Sequence, residues 1–377
     1  MGLTEYNLLM SLLWSSVCIV IFCLLRRNYS FIRDYGVFPL ISILLAGLFR
    51  FFVPIELPYT KLLCSYEFLP AIQAAFWQQS RLFSLPYGVL FLLLWALVSL
   101  ALLVKLMLEL AAQRRAIRQM IRFDSEEAEQ VMEKLLLETG SRLNYTIVVS
   151  PDVTIPSITG FFSPTLLLPC MELSAETLSY IIRHELCHFL NRDAWVKLFI
   201  SAFKAVFWWN PLVYALGKDL DYVLELRCDA YAVKDLSEEQ RICYVEAVSS
   251  VIRQAKPAET PNARYALSLN GQYSHDKLVE RMKLVFSKNT VRRRLPFFFL
   301  CALAALLLLS YAFVIQPVTD PPSGDIEGYL ALTPENAYIE HTEDGYFLYV
   351  YDSLITELSE KEMESDPYPS LEIREAE

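Results

Sequence analysis

The 377-residue chain holds four histidines, and two of them stand in one short stretch, His184-Glu185-Leu186-Cys187-His188. Side chains four residues apart share one face of a helix, so both imidazoles can bind a single zinc ion. Glu185, beside the first of them, is in reach of a water at that ion. As general base it would take a proton from the water and later hand it to a departing amine. The ion would bring the water's pKa toward neutrality and polarise the carbonyl under attack. The chemistry so described is peptide hydrolysis with one Zn2+ per chain. The plain alternative is a pair of surface histidines on a polar helix face. Ile181, Ile182, Leu186 and Phe189 argue instead for a helix with a buried side.

A catalytic zinc needs a third protein ligand and one open position. Glu225 is the candidate, in Leu224-Glu225-Leu226-Arg227-Cys228-Asp229. Asp229, one helical turn further on, can accept a hydrogen bond from the second N–H of a ligand histidine and so fix its tautomer. Spacing alone leaves open that Glu225 only pairs with Arg227 or Lys218 on a solvated face. Cys187 and Cys228, close to the ligand candidates, read as small packing residues. His275 is either an oxyanion-stabilising group or a surface residue. The eight cysteines show no CxxC spacing, so neither a disulfide framework nor a cysteine zinc cluster is expected.

HExxH followed by a helix bearing E-x-x-x-D is the gluzincin pattern. The fuller set comprises Gly160, Pro164, Leu168-Pro169, the HELCH stretch, Asn210-Pro211 after a tryptophan pair, and Glu225-x-x-Cys228-Asp229. It resembles the BlaR/MecR-type membrane peptidases, the antirepressor signal transducers of bacterial β-lactam resistance. The resemblance covers about residues 1–316, tightly in the metallopeptidase region and loosely in the spans. It implies that His184, His188 and Glu225 bind zinc, that Glu185 is the catalytic base, and that Asp229 supports a ligand from behind. It also implies a cytosolic protein substrate, a winged-helix transcriptional repressor, with self-cleavage as a further expectation. The classical members carry a penicillin-binding sensor with a Ser-x-x-Lys nucleophile after the last span. Residues 317–377 hold no Ser-x-x-Lys, so this input half is expected to be missing.

The elements that must hold this chemistry follow from composition. At 54% hydrophobic residues, with a mean hydropathy of +0.33, the chain is too apolar for an ordinary soluble protein. Its apolar residues gather in four runs near the ~20 residues that cross a bilayer as helix. They are about 8–25, 37–53, 87–110 and 296–315, the second being the shortest and ending near Arg50. Arg26 and Arg27 follow the first run, the wrong order for a cleaved signal, so it reads as a span with its N-terminus outside. Cations cluster after spans one and three and before span four. By the positive-inside rule those stretches share the cytosolic side. The loop 54–85 and the tail 316–377 are then outside. The tail past Gln316 holds sixteen Asp plus Glu against two Lys plus Arg, so the net charge of −10 belongs to it.

The expected fold is a four-span helical membrane protein of the plasma membrane, with a cytosolic α+β gluzincin-type metallopeptidase domain over residues 111–295. Within that domain the pattern predicts a helix over 123–140, a strand over 145–150, and an extended stretch over 158–168, interrupted by Gly160 and Pro164 and closed by Pro169. Helices capped by Ser174 and by the Ser237/Gln240 box follow. Thr159, Gly160 and Phe161 are the candidates for an edge strand that pairs with a peptide substrate. Val196–Leu216 is apolar enough to span. A single crossing there would put His184 and Glu225 on opposite sides of the membrane, so a core helix or an interfacial hairpin is expected. In the tail, Asp344-Gly345 between β-prone runs signals a hairpin, and disorder is expected after about Ser353.

Three readings of function remain. The first is a regulated signalling protease, its stimulus an unidentified external ligand, partner or membrane stress. The second is a constitutive quality-control protease for membrane proteins. The third is a non-catalytic receptor with a structural zinc, against which the intact Glu185 argues. Few ionisable residues lie in the spans, which speaks against a transporter. No direct nucleic-acid binding is expected.

Overall fold

In the computed structural model the described residues are 5–55, 57–65, 68–80, 85–171, 173–254, 275–287, 295–317, 332, 337–342, 345–350, 353–358, 368 and 371–375. The chain divides into two compact units, residues 1–62 with 76–314, and residues 63–75 with 315–377.

The first unit begins with apolar helices. They are α1 (Glu5–Arg26), α2 (Tyr29–Tyr35) and α3 (Phe38–Phe52). After β1 (Lys61–Ser65) and α4 (Phe68–Trp77) comes α5 (Tyr87–Gln119). By length and composition α1 and α5 can each cross a membrane. So can α2 and α3 if the pair, bent by 100°, is one broken span. The helix α12 (Leu295–Ser310) is apolar but has only 16 residues, fewer than the run 296–315 suggested, because a strand, β5 (Phe313–Pro317), takes over its end. The third run departs the other way. The helix α5 continues to Gln119, well past residue 110, so the expected boundary between span and domain falls inside one rigid rod.

Close approach holds α1 on α3. A Cβ at Gly47 would lie 2.8 Å from Cys18 Cβ, and Ser15 Oγ donates to Gly47 O at 3.0 Å. Small residues let apolar helices meet backbone to backbone in this way.

The mixed region follows as α6 (Glu126–Thr139), β2 (Thr146–Ser150), β3 (Ser157–Thr159), β4 (Thr165–Pro169), α7 (Ala175–Leu190), α8 (Asp193–Val206), α9 (Pro211–Ala232), α10 (Glu238–Gln254) and α11 (His275–Phe286). The sheet has the order β2-β4-β3, with β2 parallel and β3 antiparallel to β4. Residues 158–168 therefore form a hairpin, with its turn between the expected interruptions at Gly160 and Pro164. Gly160 turns the chain at φ +108°, where a Cβ would meet Ser163 O at 2.2 Å, so only glycine fits. The sheet and α7 close over one apolar core made of Leu166 and Leu168, Met132 and Leu135 of α6, and Ile182 and Leu186.

Val196–Leu216 forms two helices rather than one. Asn210 ends the turn after α8 and caps α9 by accepting from Leu212 N at 3.0 Å, with Pro211 at the first helical position. The helix α9 then packs against the apolar helices. Leu216, Leu220 and Val223 share a core with Phe22 of α1, Ile43 of α3 and Ile200 of α8. Arg26, the last residue of α1, pairs with Asp219 of α9 at 3.3 Å and lies over the Tyr222 ring. Trp95 Nε1 and Ser99 Oγ of α5 both donate to Val206 O, at 2.8 and 3.4 Å.

In the second unit β6 (Ala337–Thr342) and β7 (Gly345–Val350) pair antiparallel, Thr342 facing Gly345. Asp344 itself lies outside the described residues. The expected disorder after about Ser353 does not hold for the described residues there: β8 (Ser353–Leu358) and β9 (Glu372–Glu375) complete a sheet of order β8-β7-β6-β9. Ile339, Leu348, Leu358 and Leu371 form its core, apolar positions set among acidic ones that composition had masked.

Candidate metal centre

Ser174 starts α7 by accepting from Thr177 N at 3.2 Å, and the core-facing Ile182 and Leu186 fix the helix's rotation. His184 and His188 then share the side that meets α9. His184 Nε2 and His188 Nε2 are 3.2 Å apart. From α9, Glu225 brings Oε2 to 3.5 Å from His184 Nε2 and Oε1 to 3.6 Å from His188 Nε2. A tetrahedral zinc with bonds of about 2.0–2.2 Å separates its ligand atoms by about 3.3–3.6 Å. The spacing of these three donors therefore fits the ion.

Electrostatics agree with geometry. Burial would push the His184 imidazole down, yet the Asp229 and Glu225 carboxylates outweigh it and raise it to about 10. Burial would raise Glu225, but Arg281 and the two histidines hold it well below the ordinary carboxylate range. The buried carboxylates thus favour positive charge within the cluster.

The groups behind the three donors are well defined. His184 Nδ1 lies 3.0 Å from Tyr244 Oη and 3.3 Å from Asp229 Oδ1, and Tyr244 Oη donates to Asp229 Oδ1 at 2.6 Å. His188 Nδ1 lies 2.7 Å from Asp193 Oδ2, and Arg227 holds the other Asp193 oxygen. Each imidazole therefore has a carboxylate at Nδ1, which leaves Nε2 for a metal. Arg281 of α11 donates through Nε and Nη2 to Asp229, at 2.7 and 2.9 Å, and places Nη1 3.0 Å from Glu225 Oε2. One of these supports can be tested directly: Asp193→Asn is expected to weaken zinc binding about 10–100-fold, read by chelator competition.

Sequence reasoning did not find Asp193, Tyr244 or Arg281. Asp193 had a local signal, a carboxylate five residues after His188 at the helix end. The turn that returns it runs through Arg192 in the left-handed region at φ 58°. Tyr244 and Arg281 had none, because only packing brings α10 and α11 to α9. A second group, His188, Asp193 and Cys228, also gathers within 4.8 Å. It uses His188 Nδ1, already facing Asp193, which is bound to Arg227. Cys187 and Cys228 are both buried. The side chain of His275 lies outside the described residues.

Glu185 sits beside this cluster, and its Oε2 accepts from Ile158 N of β3 at 3.0 Å. Burial raises its carboxyl above the ordinary range, with His188 and His184 opposing. The strand β3 is the free edge of its sheet and contains Thr159. Gly160 and Phe161 do not extend it, as expected from sequence, but form the turn beyond it. A cavity of about 430 Å³ joins this edge to His184, Glu185, His188 and Glu225, and the C-terminal part of α5 lines it as well.

Curated relatives were found by sequence. The chain is 31% identical over 101 residues to a regulatory protein BlaR1 of Bacillus licheniformis, covering 26% of this chain and 17% of that protein. It is 25% identical over 171 residues to a methicillin resistance mecR1 protein of Staphylococcus aureus, covering 43% and 28%. To a regulatory protein BlaR1 of Staphylococcus aureus it is 21% identical over 203 residues, covering 52% and 34%. The matched stretch is thus about a third or less of each relative's length. Residues 8–285, more than half of the chain, match the BlaR1 peptidase M56 family, and the chain belongs to that family of membrane peptidases.

Proposed function

We propose that this chain is a membrane-bound zinc metalloendopeptidase that transduces an external signal by cleaving a cytosolic protein, a winged-helix repressor, with cleavage of itself as a second event. The observation that carries the reading is the convergence of His184 Nε2, His188 Nε2 and Glu225 within 3.2–3.6 Å, with Glu185 alongside and an edge strand at the cavity mouth. Zinc, when bound, supplies Lewis acidity toward the attacking water and the scissile carbonyl. The chain's own groups do the rest. Ile158 N holds Glu185 Oε2, leaving Oε1 to accept a proton from the water and return it to the departing amide nitrogen. The β3 edge offers backbone hydrogen bonds that lay a peptide across the site in extended form.

In this reading α1, the α2–α3 pair, α5 and α12 are four spans. Both termini lie outside and the mixed region is cytosolic. The elbow between α8 and α9 dips into the bilayer beside the apolar middle of α5. At such depth a helix end must satisfy its own carbonyls. Trp95 and Ser99 do this for Val206, and Asn210 N does it for Phe207 O at 2.9 Å, while Asn210 Oδ1 accepts from the Leu212 N–H at the start of α9.

Metal content of the purified full chain tests the centre. The native chain and Glu185→Gln are expected to hold one zinc each, and Glu225→Ala to lose it. Full zinc retention in Glu225→Ala would remove Glu225 from the ligand set. A native chain that binds no zinc would return the site to a structural role.

A further inference from the structure

Three of the four arginines at the C-terminal end of α5 line the catalytic cavity: Arg114, Arg118 and Arg122. Arg114 and Arg118, one helical turn apart, share a face, and Arg122 follows just beyond the helix end. The neighbouring face is anchored, because Ile117 and Met120 are buried with Val148, Val153 and Leu167 of the sheet region. Phe123 N then donates to Val149 O of β2 at 3.0 Å. The row is therefore fixed relative to the sheet. Arg114 reaches across to the turn after β3, its guanidinium 5.7 Å from the centre of the Phe161 ring.

All three side chains are exposed, and among the described residues none has a carboxylate partner. Lys197 of α8 also lines the cavity, with the Asp221 carboxylate near it. The lining acids are otherwise engaged: Glu225 with Arg281, Asp193 with Arg227 and His188, and Glu185 with Ile158 N. The α5 part of the lining thus carries uncompensated positive charge.

Resting on the peptidase reading above, we infer that the site selects an acidic peptide segment. The peptide would pair in extended form with β3 and place Asp or Glu side chains, near the bond to be cut, against Arg114, Arg118 and Arg122. Arginine suits this role because its planar fork binds carboxylates in pairs of hydrogen bonds. Cations at the inner end of a span also serve orientation in the membrane. Orientation alone does not require them to line the cleft, and Arg115, outside the lining, serves it equally well.

The test uses the full chain in nanodiscs and two matched fluorogenic peptides, one with Glu flanking the scissile bond and one with Gln. Hydrolysis is read on the native chain. Binding by anisotropy is read on Glu185→Gln. The native chain is expected to prefer the Glu peptide by about tenfold or more in kcat/KM, and the preference should shrink as salt rises. Arg114→Glu combined with Arg118→Glu should reverse it in favour of a Lys-flanked peptide, and Arg114→Lys should keep most of it. A native chain that cleaves both peptides equally overturns the inference while leaving the peptidase reading intact. So does a charge reversal that changes only attachment to anionic nanodiscs, which would assign the arginines to lipid headgroups. If no peptide is cleaved, the peptidase reading fails, and the binding arm still decides the charge preference.

Discussion

Glu185→Gln is expected to lower kcat for peptide hydrolysis about a hundred- to ten-thousandfold, the range for loss of a positioned general base. KM and zinc content should hardly change. Glutamine keeps the shape of the side chain, and its carbonyl oxygen can still accept from Ile158 N, so the β3 edge stays where it is. What it cannot do is take a proton. A pH profile adds a second readout. Burial raises the Glu185 carboxyl, so activity in the native chain should fall as pH drops through that raised value. The variant's residual activity should lack this acid limb. A variant that keeps more than about a third of native kcat would remove Glu185 from the proton transfer.

Arg281→Met is expected to destabilise the metal-free protein by about 3–5 kcal/mol, the typical result of stripping the partner from a buried charge. Arg281 is 2% exposed and joins two buried carboxylates, Asp229 and Glu225. Thermal unfolding in detergent would measure the loss. Both carboxyls are held below their ordinary range in the fold, so their contribution is complete above the unfolded values and fades as pH falls through the lower folded ones. The gap between native and variant should therefore narrow toward acid. It should also narrow when zinc is bound, because the ion's charge takes over part of the neutralisation. A variant as stable as the native protein at neutral pH would mean that Arg281 is tolerated rather than required. The double variant Arg281→Met with Asp229→Asn would recover part of the loss if the two act as a pair.

Much of the centre was legible because its signals are local. HExxH needs only a helix to bring His184 and His188 together, and Ser174 with Leu178, Ile182 and Leu186 declares that helix in sequence. The capping box at Ser237 and Gln240 likewise forms as written, with bonds of 3.0 and 3.2 Å. Apolar runs announced α1 and α5 by length alone. Errors came where sequence pattern and local geometry compete. The stretch 158–168 reads as a single extended segment with interruptions at Gly160 and Pro164, but the chain reverses between them into a hairpin and so creates the β3 edge. Acidic composition hid β8 and β9, whose alternate apolar residues needed a partner sheet to pair with.

The sequence by itself determined the candidate metal-binding pair, the candidate base beside it, the carboxylate helix to look for and the apolar character of the long helices. These are properties of spacing and composition, which survive without knowledge of distant neighbours. Only tertiary structure decided that Glu225 faces the histidines at 3.5 and 3.6 Å and that Asp193 and Asp229 each take one imidazole. It also decided that Arg281, 52 residues after Asp229, closes the cluster, and that the arginines of α5 line the cleft. The arginines are placed by the packing of Ile117 and Met120 on the sheet region; for the buried groups the physical reason is common. A buried charge is stable only where an opposite charge meets it, and which segment supplies that partner is settled by packing between elements far apart in the chain.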